Sequence, residues 1–372
     1  MEYYSYRMMW RKNSFNILHR SLRLFQVWTV DMYAKILQWR VNHARNHQDQ
    51  LRADLYKGLE DQIGAADADP NYKFVGKKVI LPATYSYTPR WYDRKYRDAM
   101  AIVAKYTKPD VFITFTCNAK WPEITDNLEH GQKAVDRPDL TARVFYMKFS
   151  ELMKDLTQRH VLGPVVAWMH TIEYQKRGLP HAHILLIFDS ESKLKDASKF
   201  DEIVTAELPN RETHPELYDL VIKFMVHAPC ENRCDTSCKK NGHRCSAHFP
   251  KEFSMYTTSS EDGYPTYTRR SPDNGGFTGK KYMKVGNDTK NIWYPIDNRY
   301  IVPYNPNLLK KYKAHINVEI CCSIKAIKYL YKYIYKGHDK ACYTFKINGV
   351  KEIDRDEITR YFDAFYLSGA EA

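Results

Sequence analysis

The stretch Glu173-Tyr-Gln-Lys-Arg-Gly-Leu-Pro-His-Ala-His-Ile-Leu-Leu-Ile-Phe188 organises the rest of the chain. Its glycine and proline interrupt apolar, strand-like sequence, which predicts a β-hairpin with one strand near 165–175, a tight turn and a second strand over 181–188. Side chains alternate between the two faces of a strand, so His181 and His183 are expected on the same face. Glu173, on the paired strand, is expected to reach the same patch.

Two imidazoles and one carboxylate are a typical ligand set for a divalent metal, and three protein ligands leave coordination positions open for a substrate. A lone His-x-His pair is more often two unrelated histidines. Here a glutamate, a glycine turn and a strongly apolar second strand accompany the pair. The sequence therefore predicts a metal site built from His181, His183 and Glu173.

The composition favours a nucleic-acid partner. Lys and Arg number 57 against 44 acidic residues, a formal charge of +13, and the chain contains 29 Tyr, 16 Phe and 7 Trp. Cationic side chains attract a polyanion, and aromatic rings can stack on its bases. No run approaches the roughly 20 apolar residues of a membrane span, and the N-terminus lacks the apolar core of a signal peptide. No membrane partner is therefore expected.

The 372 residues suffice for two domains or for one elaborated domain. Apolar residues at helical spacing mark the N-terminal region, and period-two alternation over 111–118 predicts a strand. The expected order is an N-terminal helical region (1–92), a core with the first strand and the hairpin (93–226), a Cys/His-containing insertion (227–310) and a continuation of the core with a last helix (311–372).

The last predicted helix carries tyrosines on two sides. At about 100° per residue, its apolar stripe takes two of the four tyrosines, whereas Tyr329 and Tyr333 lie one turn apart on the other side. The lysines around that pair are Lys325, Lys332 and Lys336. A tyrosine hydroxyl with a pKa near ~10 is a poor nucleophile without help, and neighbouring lysines favour its phenolate. Together with the metal hairpin, this pair predicts phosphoryl transfer through a phosphotyrosine.

Three motifs then stand in a recognisable order: Phe112-Ile-Thr-Phe-Thr-Cys-Asn118, Gly178-Leu-Pro-His-Ala-His183 and Tyr329-Leu-Tyr-Lys-Tyr333. In these motifs the chain resembles the replication-initiator (Rep) nuclease of Helitron transposases, the N-terminal region of Helitron helicase-like proteins. These nucleases are HUH endonucleases, named for their His-hydrophobe-His motif. The resemblance extends over nearly the whole chain.

The resemblance implies an α+β fold of HUH/Rep type, with a central antiparallel sheet flanked by helices. It implies Mg²⁺ or Mn²⁺ as the catalytic ion and single-stranded DNA, at transposon ends and target, as the substrate. One tyrosine attacks the scissile phosphate, keeps the 5′ end covalently and releases a 3′-OH. The second tyrosine allows a second strand to be cut while the first stays attached, as rolling-circle transposition requires.

By position, the resemblance puts the metal ligands at His181 and His183. Related rolling-circle initiators place a glutamate eight residues before the first histidine, where Glu173 stands, and Gln175 on the same face is its rival as third ligand. The nucleophiles fall on Tyr329 and Tyr333. Lys336 is expected to assist the tyrosines, and Lys325 and Lys332 are expected to contact DNA. Thr116 and Asn118 are expected to shape the cleft or contact DNA.

Full Helitron proteins carry a helicase after this nuclease, so we expect a helicase domain in a longer protein and residence in the nucleus. The Gly-Gly-Phe-Thr-Gly-Lys-Lys run at 275–281 is no phosphate loop, since it is one residue short and lacks the final Ser or Thr. Three alternatives stay open. One is a rolling-circle replication initiator of viral or plasmid type, and another is an inactive derivative that binds single-stranded DNA without cutting it. The third is a metal-dependent hydrolase that acts through water and needs neither tyrosine.

The insertion contains a cluster of Cys and His residues at short spacings. Such a cluster in a region with few core residues is typical of a structural Zn²⁺ site. The cluster offers more candidates than four ligands, and its spacing is irregular. The best set is His227, Cys230, Cys238 and Cys245, and reduced thiols in a loop are the alternative.

Overall fold

The computed structural model describes residues 1–11, 14–51, 72–79, 81–82, 84–86, 88–175, 178–194, 196–227, 245, 247–259, 264–284, 291–322, 346–347 and 350–356. These residues form a mixed α+β structure, which confirms the predicted class. None of their helices combines the length and the apolar character needed to cross a bilayer.

The helices are α1 (Glu2–Met8), α2 (Ile17–Arg20), α3 (Arg23–Asn46), α4 (Gln48–Leu51), α5 (Pro89–Tyr106), α6 (Pro122–Thr125), α7 (Pro138–Thr157), α8 (Phe200–Ile203), α9 (Pro215–Phe224) and α10 (Pro306–Tyr312). The strands are β1 (Tyr72–Val79), β2 (Val111–Thr116), β3 (Val165–Tyr174), β4 (Pro180–Phe188), β5 (Gly279–Lys284), β6 (Asn291–Ile296), β7 (Ile316–Ile320), β8 (Lys346–Ile347) and β9 (Val350–Asp356).

The chain divides into two compact units. The first holds the described residues of Met1–Met100, Glu129–Asp139 and Tyr331–Ala372, and the second those of Ala101–Leu128 and Leu140–Leu330. In the first unit α3 dominates, and its inner side buries Leu37, Val41 and Ala44 around Leu81. The same unit contains a three-stranded sheet in the order β1-β9-β8, in which β1 and β9 run parallel.

The second unit is built on a four-stranded antiparallel sheet in the order β3-β4-β2-β7. The hairpin predicted from the sequence is confirmed, because β3 and β4 are antiparallel neighbours with Glu173 opposite His181. All nine residues of β4 are buried, since the strand lies between β3 and β2 and is covered on both faces. This burial explains why its sequence is continuously apolar apart from the two histidines.

Helix α7 packs on the face of this sheet that faces away from those histidines. The Phe145 ring on α7 stacks on Phe115 of β2 at 5.4 Å between centroids, and Phe149 lies 5.0 Å from the ring of His170 on β3. Aromatic pairs at these separations add to the stabilisation that their buried area provides. The helix therefore fixes the sheet and leaves its other face for polar side chains.

The described residues between α9 and α10 include the β5–β6 hairpin and short bridges instead of a long apolar element. A buried arginine, Arg269, holds this part together by donating hydrogen bonds to the backbone carbonyls of Ala206, Asn298 and Ile301. Burial lowers the pKa of Arg269 to about 10, so the guanidinium keeps its charge at neutral pH. The segment is organised by polar contacts, which is why it shows little apolar periodicity.

Candidate metal centre

Polar side chains from all four strands line the face of the sheet opposite α7. The strand register aligns them in two rows, because directly opposite residues point to the same face. One row is Glu173, His181, Thr116 and His315, and the other is Thr171, His183, Thr114 and Asn317. The centre of the sheet therefore presents His181 between a carboxylate and a hydroxyl, and His183 between two hydroxyls.

Glu173, His181 and His183 form a group that could hold a metal ion, since one ligand atom from each lies within 4.8 Å of the others. The Oε1 atom of Glu173 is 3.2 Å from Nε2 of His183, and the two imidazole centroids are 4.6 Å apart. His181 is 8% exposed and His183 2%, whereas the Glu173 side chain is 37% exposed. The group is thus a buried imidazole pair with a carboxylate at its open side.

Two imidazoles and one carboxylate are a donor set that suits a divalent transition-metal ion, whereas Mg²⁺ prefers oxygen ligands. The choice of Mg²⁺ or Mn²⁺ stays a prediction. Metal binding requires neutral imidazoles. Burial, reinforced by the neighbouring His183 and His315 and opposed by Glu173, lowers the pKa of His181 to about 3. The His181 ring is therefore neutral at physiological pH and available as a ligand.

Two contacts orient the imidazoles. Thr116 Oγ1 is 2.7 Å from Nδ1 of His181, a hydrogen bond that leaves Nε2 as the ring nitrogen for a metal. The Phe112 ring stacks on His183 with 5.9 Å between centroids and 13° between planes. Strand β2 therefore supports both histidines of β4, one by a hydrogen bond and one by ring packing.

Sequence reasoning missed the contribution of β7. His315, Asn317 and Glu319 alternate with buried apolar residues, so all three lie on the face that carries the metal group. Burial raises the pKa of Glu319, and Asn317 donates a hydrogen bond to its carboxyl group. The signal was present in the sequence as a polar residue at every second position of an apolar strand.

The structure gives different contacts to the other predicted residues of this region. Asn118 donates from its amide to the carbonyl of Lys313 (2.8 Å) and accepts from the backbone N–H of Lys120 (2.9 Å). These bonds shape the turn that follows β2. Gln175 lies just beyond β3, where its backbone bonds close the hairpin turn with Leu179 and Gly178. Its role as rival third ligand stays a prediction.

Several predicted residues lie outside the described part of the chain. They are Tyr329, Tyr333, Lys336, Lys325 and Lys332 of the last predicted helix and Cys230 and Cys238 of the predicted zinc set. The two described members of the zinc set do meet, because Sγ of Cys245 is 3.3 Å from Nε2 of His227. Cys245 is buried, and the His227 ring stacks on Phe249 at 4.3 Å between centroids.

Comparison with known proteins connects this geometry to a family. No curated protein matches the chain. Residues 3–186 match the family described as "Helitron helicase-like domain at N-terminus". The matched span, just under half of the chain, ends within β4 after both histidines, so it includes the whole Glu173–His181–His183 group. This part of the chain is similar to the N-terminal region of Helitron helicase-like proteins.

Proposed function

We propose that the chain is a metal-dependent endonuclease and strand transferase of HUH type, which acts on single-stranded DNA during Helitron transposition. The observation that carries this proposal is the Glu173–His181–His183 group on a central antiparallel strand, inside the region that matches a Helitron-associated family. The formal charge of +13 supports a polyanionic substrate.

A divalent ion held by Glu173, His181 and His183 would polarise the scissile phosphodiester and stabilise charge on its oxygens. The protein side chains do the rest. A phenolate oxygen of Tyr329 or Tyr333 attacks phosphorus and forms the Tyr–phosphate bond. The phosphorus–O3′ bond breaks, and the leaving 3′ oxygen takes up a proton from solvent. The phenol proton leaves before attack, which the positive charge of Lys336 favours.

The bond energy of the phosphodiester is kept in the phosphotyrosine, so a 3′-OH can later attack it and restore a DNA strand. Two tyrosines allow two such bonds to exist at the same time, so a second strand can be cut while the first stays attached. Eight residues lie between Ile320, at the end of β7, and Tyr329. The nine residue steps span at most about 30 Å when extended. Ile320 lies two strands, about 10 Å, from β4 and aligns through Val111 with Leu186, which is about 10 Å along the strand from His183. The chain length therefore permits the first tyrosine to reach the metal group.

The test uses a labelled single-stranded oligonucleotide with Mn²⁺ and a denaturing gel. We expect a metal-dependent band of DNA covalently attached to protein. Tyr329→Phe or Tyr333→Phe alone should leave some cleavage or joining, whereas the double variant should form no adduct. Cleavage that persists in the double variant without an adduct would instead indicate a hydrolase that activates water.

A matched pair of histidine variants tests the metal group. His183→Ala should abolish the adduct, whereas His170→Ala should retain it, because His170 lies on the same hairpin but on the face that packs against α7. If the wild-type protein binds the oligonucleotide and forms no adduct with either Mg²⁺ or Mn²⁺, the protein is a binding derivative and the proposed activity is wrong.

A further inference from the structure

Three rings spaced four residues apart lie at the C-terminal end of α3. They belong to Trp39 and His43 in the helix and to His47, the residue that follows it, and we call them the ring ladder. Four residues are close to one helical turn, so these side chains lie above one another on one face. The centroids of Trp39 and His43 are 5.9 Å apart, and those of His43 and His47 are 4.1 Å apart with 15° between the ring planes. The two imidazole rings are stacked and the indole is tilted by 41° against His43, so the three rings form a continuous surface about two turns long.

The ring ladder does not belong to the core of its unit. The inner side of α3 is formed by Leu37, Val41 and Ala44, each 5% exposed or less, whereas Trp39 is 68% exposed. In the part of the chain that the structure describes, the one ring in contact with Trp39 is that of His43. The indole therefore presents a large open surface to solvent.

The ladder lies in basic surroundings. Between Lys35 and the end of α3 the helix carries Lys35, Arg40 and Arg45, all exposed, and no acidic residue. Lys35 precedes Trp39 by one turn and so extends the same face. A large exposed ring next to cations suits a partner with both negative charge and flat apolar faces.

We infer that the ring ladder binds unpaired bases of single-stranded DNA, with Trp39 as the principal stacking surface and the flanking cations on the phosphates. In a duplex the base faces are stacked on one another and inaccessible, so an exposed indole gains nothing from them, whereas every unpaired base offers a face. The substrate role of that strand rests on the proposed function, but the stacking itself can be measured without the reaction.

The experiment measures the anisotropy of a fluorescent 30-nucleotide oligo-dT on the full chain in EDTA. Stacking losses of the usual size predict about tenfold weaker binding for Trp39→Ala, and nearly wild-type binding for Trp39→Phe, which keeps a ring. Val27→Ala is the control, because Val27 is a 54% exposed apolar residue of the same helix away from the ladder. A duplex of equal length should bind the wild type and Trp39→Ala alike.

A second readout locates the contact directly. Oligo-dT containing 5-iodouracil should, on irradiation, form a crosslink to the peptide that contains Trp39. Unchanged oligo-dT binding by Trp39→Ala, with thermal melting confirming that the variant is folded, overturns the inference. The inference is also overturned if Trp39→Ala weakens binding to vesicles of anionic lipid but not binding to oligo-dT, because the ring ladder would then be a membrane contact.

The inference and the proposed function fail in distinguishable ways. His183→Ala should bind oligo-dT normally in EDTA and form no covalent adduct in Mn²⁺, whereas Trp39→Ala should bind weakly and still form the adduct at saturating DNA. If binding depends on Trp39 and no adduct forms, the stacking role of the ring ladder is supported and the proposed nuclease activity is wrong. If an adduct forms and binding does not depend on Trp39, the nuclease activity is supported and the stacking role is wrong.

Discussion

At the scale of single residues, Thr116 contacts the candidate metal centre through one hydrogen bond. Its hydroxyl oxygen is 2.7 Å from Nδ1 of His181, and this hydrogen bond leaves Nε2 as the ring nitrogen that can bind a metal. Groups that orient metal ligands in this way typically contribute 10- to 100-fold to metal affinity. Thr116 therefore orients a candidate metal ligand, whereas the sequence predicted that it shapes the cleft or contacts DNA.

Replacing Thr116 by Val keeps the shape of the side chain and removes the hydroxyl. We expect Mn²⁺ to bind Thr116→Val about 10- to 100-fold more weakly by calorimetric titration, because the His181 ring is no longer held in one orientation. Thr116→Ser keeps the hydroxyl and should bind nearly as the wild type does. Equal affinity in the wild type and the Val variant would mean that sheet packing alone orients the ring.

At the scale of elements, α7 and α10 are joined through one buried carboxylate. Asp155 on α7, with its side chain 3% exposed, accepts hydrogen bonds from Lys311 (2.7 and 2.8 Å) and Tyr312 (2.5 Å) of α10 and from Arg159 (2.6 Å). Burial by itself raises the pKa of this carboxyl, but the hydrogen bonds from Lys311, Tyr312 and Arg159 outweigh it and hold the pKa below its ordinary value.

A carboxyl whose pKa is lowered in the folded state stabilises the fold above its unfolded pKa of about 4. That contribution is lost as the pH falls through the lower, folded pKa. We therefore expect Asp155→Asn to reduce the free energy of unfolding at pH 7 by about 2–4 kcal/mol, and to flatten its decline in acid. Denaturant unfolding between pH 7 and pH 2 measures both effects.

Asp219→Asn is the matched control, since Asp219 is an exposed acid on α9 of the same unit. Surface changes of this kind alter stability by about 0.5 kcal/mol or less. If Asp155→Asn behaves like Asp219→Asn at both ends of the pH range, the hydrogen-bonded carboxylate is not what joins α7 to α10.

At the scale of the whole molecule, we expect two metals with different roles. The open Glu173–His181–His183 group suits an exchangeable ion. Buried Cys245 and half-buried His227, with Sγ 3.3 Å from Nε2, suit two ligands of a closed structural site. The purified protein should contain about one zinc per chain by elemental analysis. Cys245→Ser should lose the zinc and lower the melting temperature, because a structural zinc contributes to folding directly.

Val166→Ser is a control of comparable size, since Val166 is a 42% exposed residue at the edge of the sheet. It should keep both the zinc and the melting temperature. If the wild-type protein, prepared without chelators, contains no zinc and has the same melting temperature as Cys245→Ser, then Cys245 is an ordinary buried thiol.

The hairpin and its histidine pair could be predicted from the sequence because they depend on local rules. A glycine and a proline fix the turn, β-branched and apolar residues favour strands, and period-two alternation places His181 and His183 on one face. Glu173 follows from the register of the same hairpin. Each of these inferences spans fewer than about twenty residues, so the chain itself keeps the partners close.

The surroundings of the site required the tertiary structure. Thr116 meets His181 across 65 residues of chain, and Asn317 joins the same face across more than a hundred. In the other unit, β1 pairs with β9 across about three quarters of the sequence, with Tyr72 opposite Lys351. The sequence by itself determined which residues can bind a metal and which alternate on a strand. Only the fold decided which strands become neighbours, because that choice depends on burial summed over the whole unit, and no local stretch contains it.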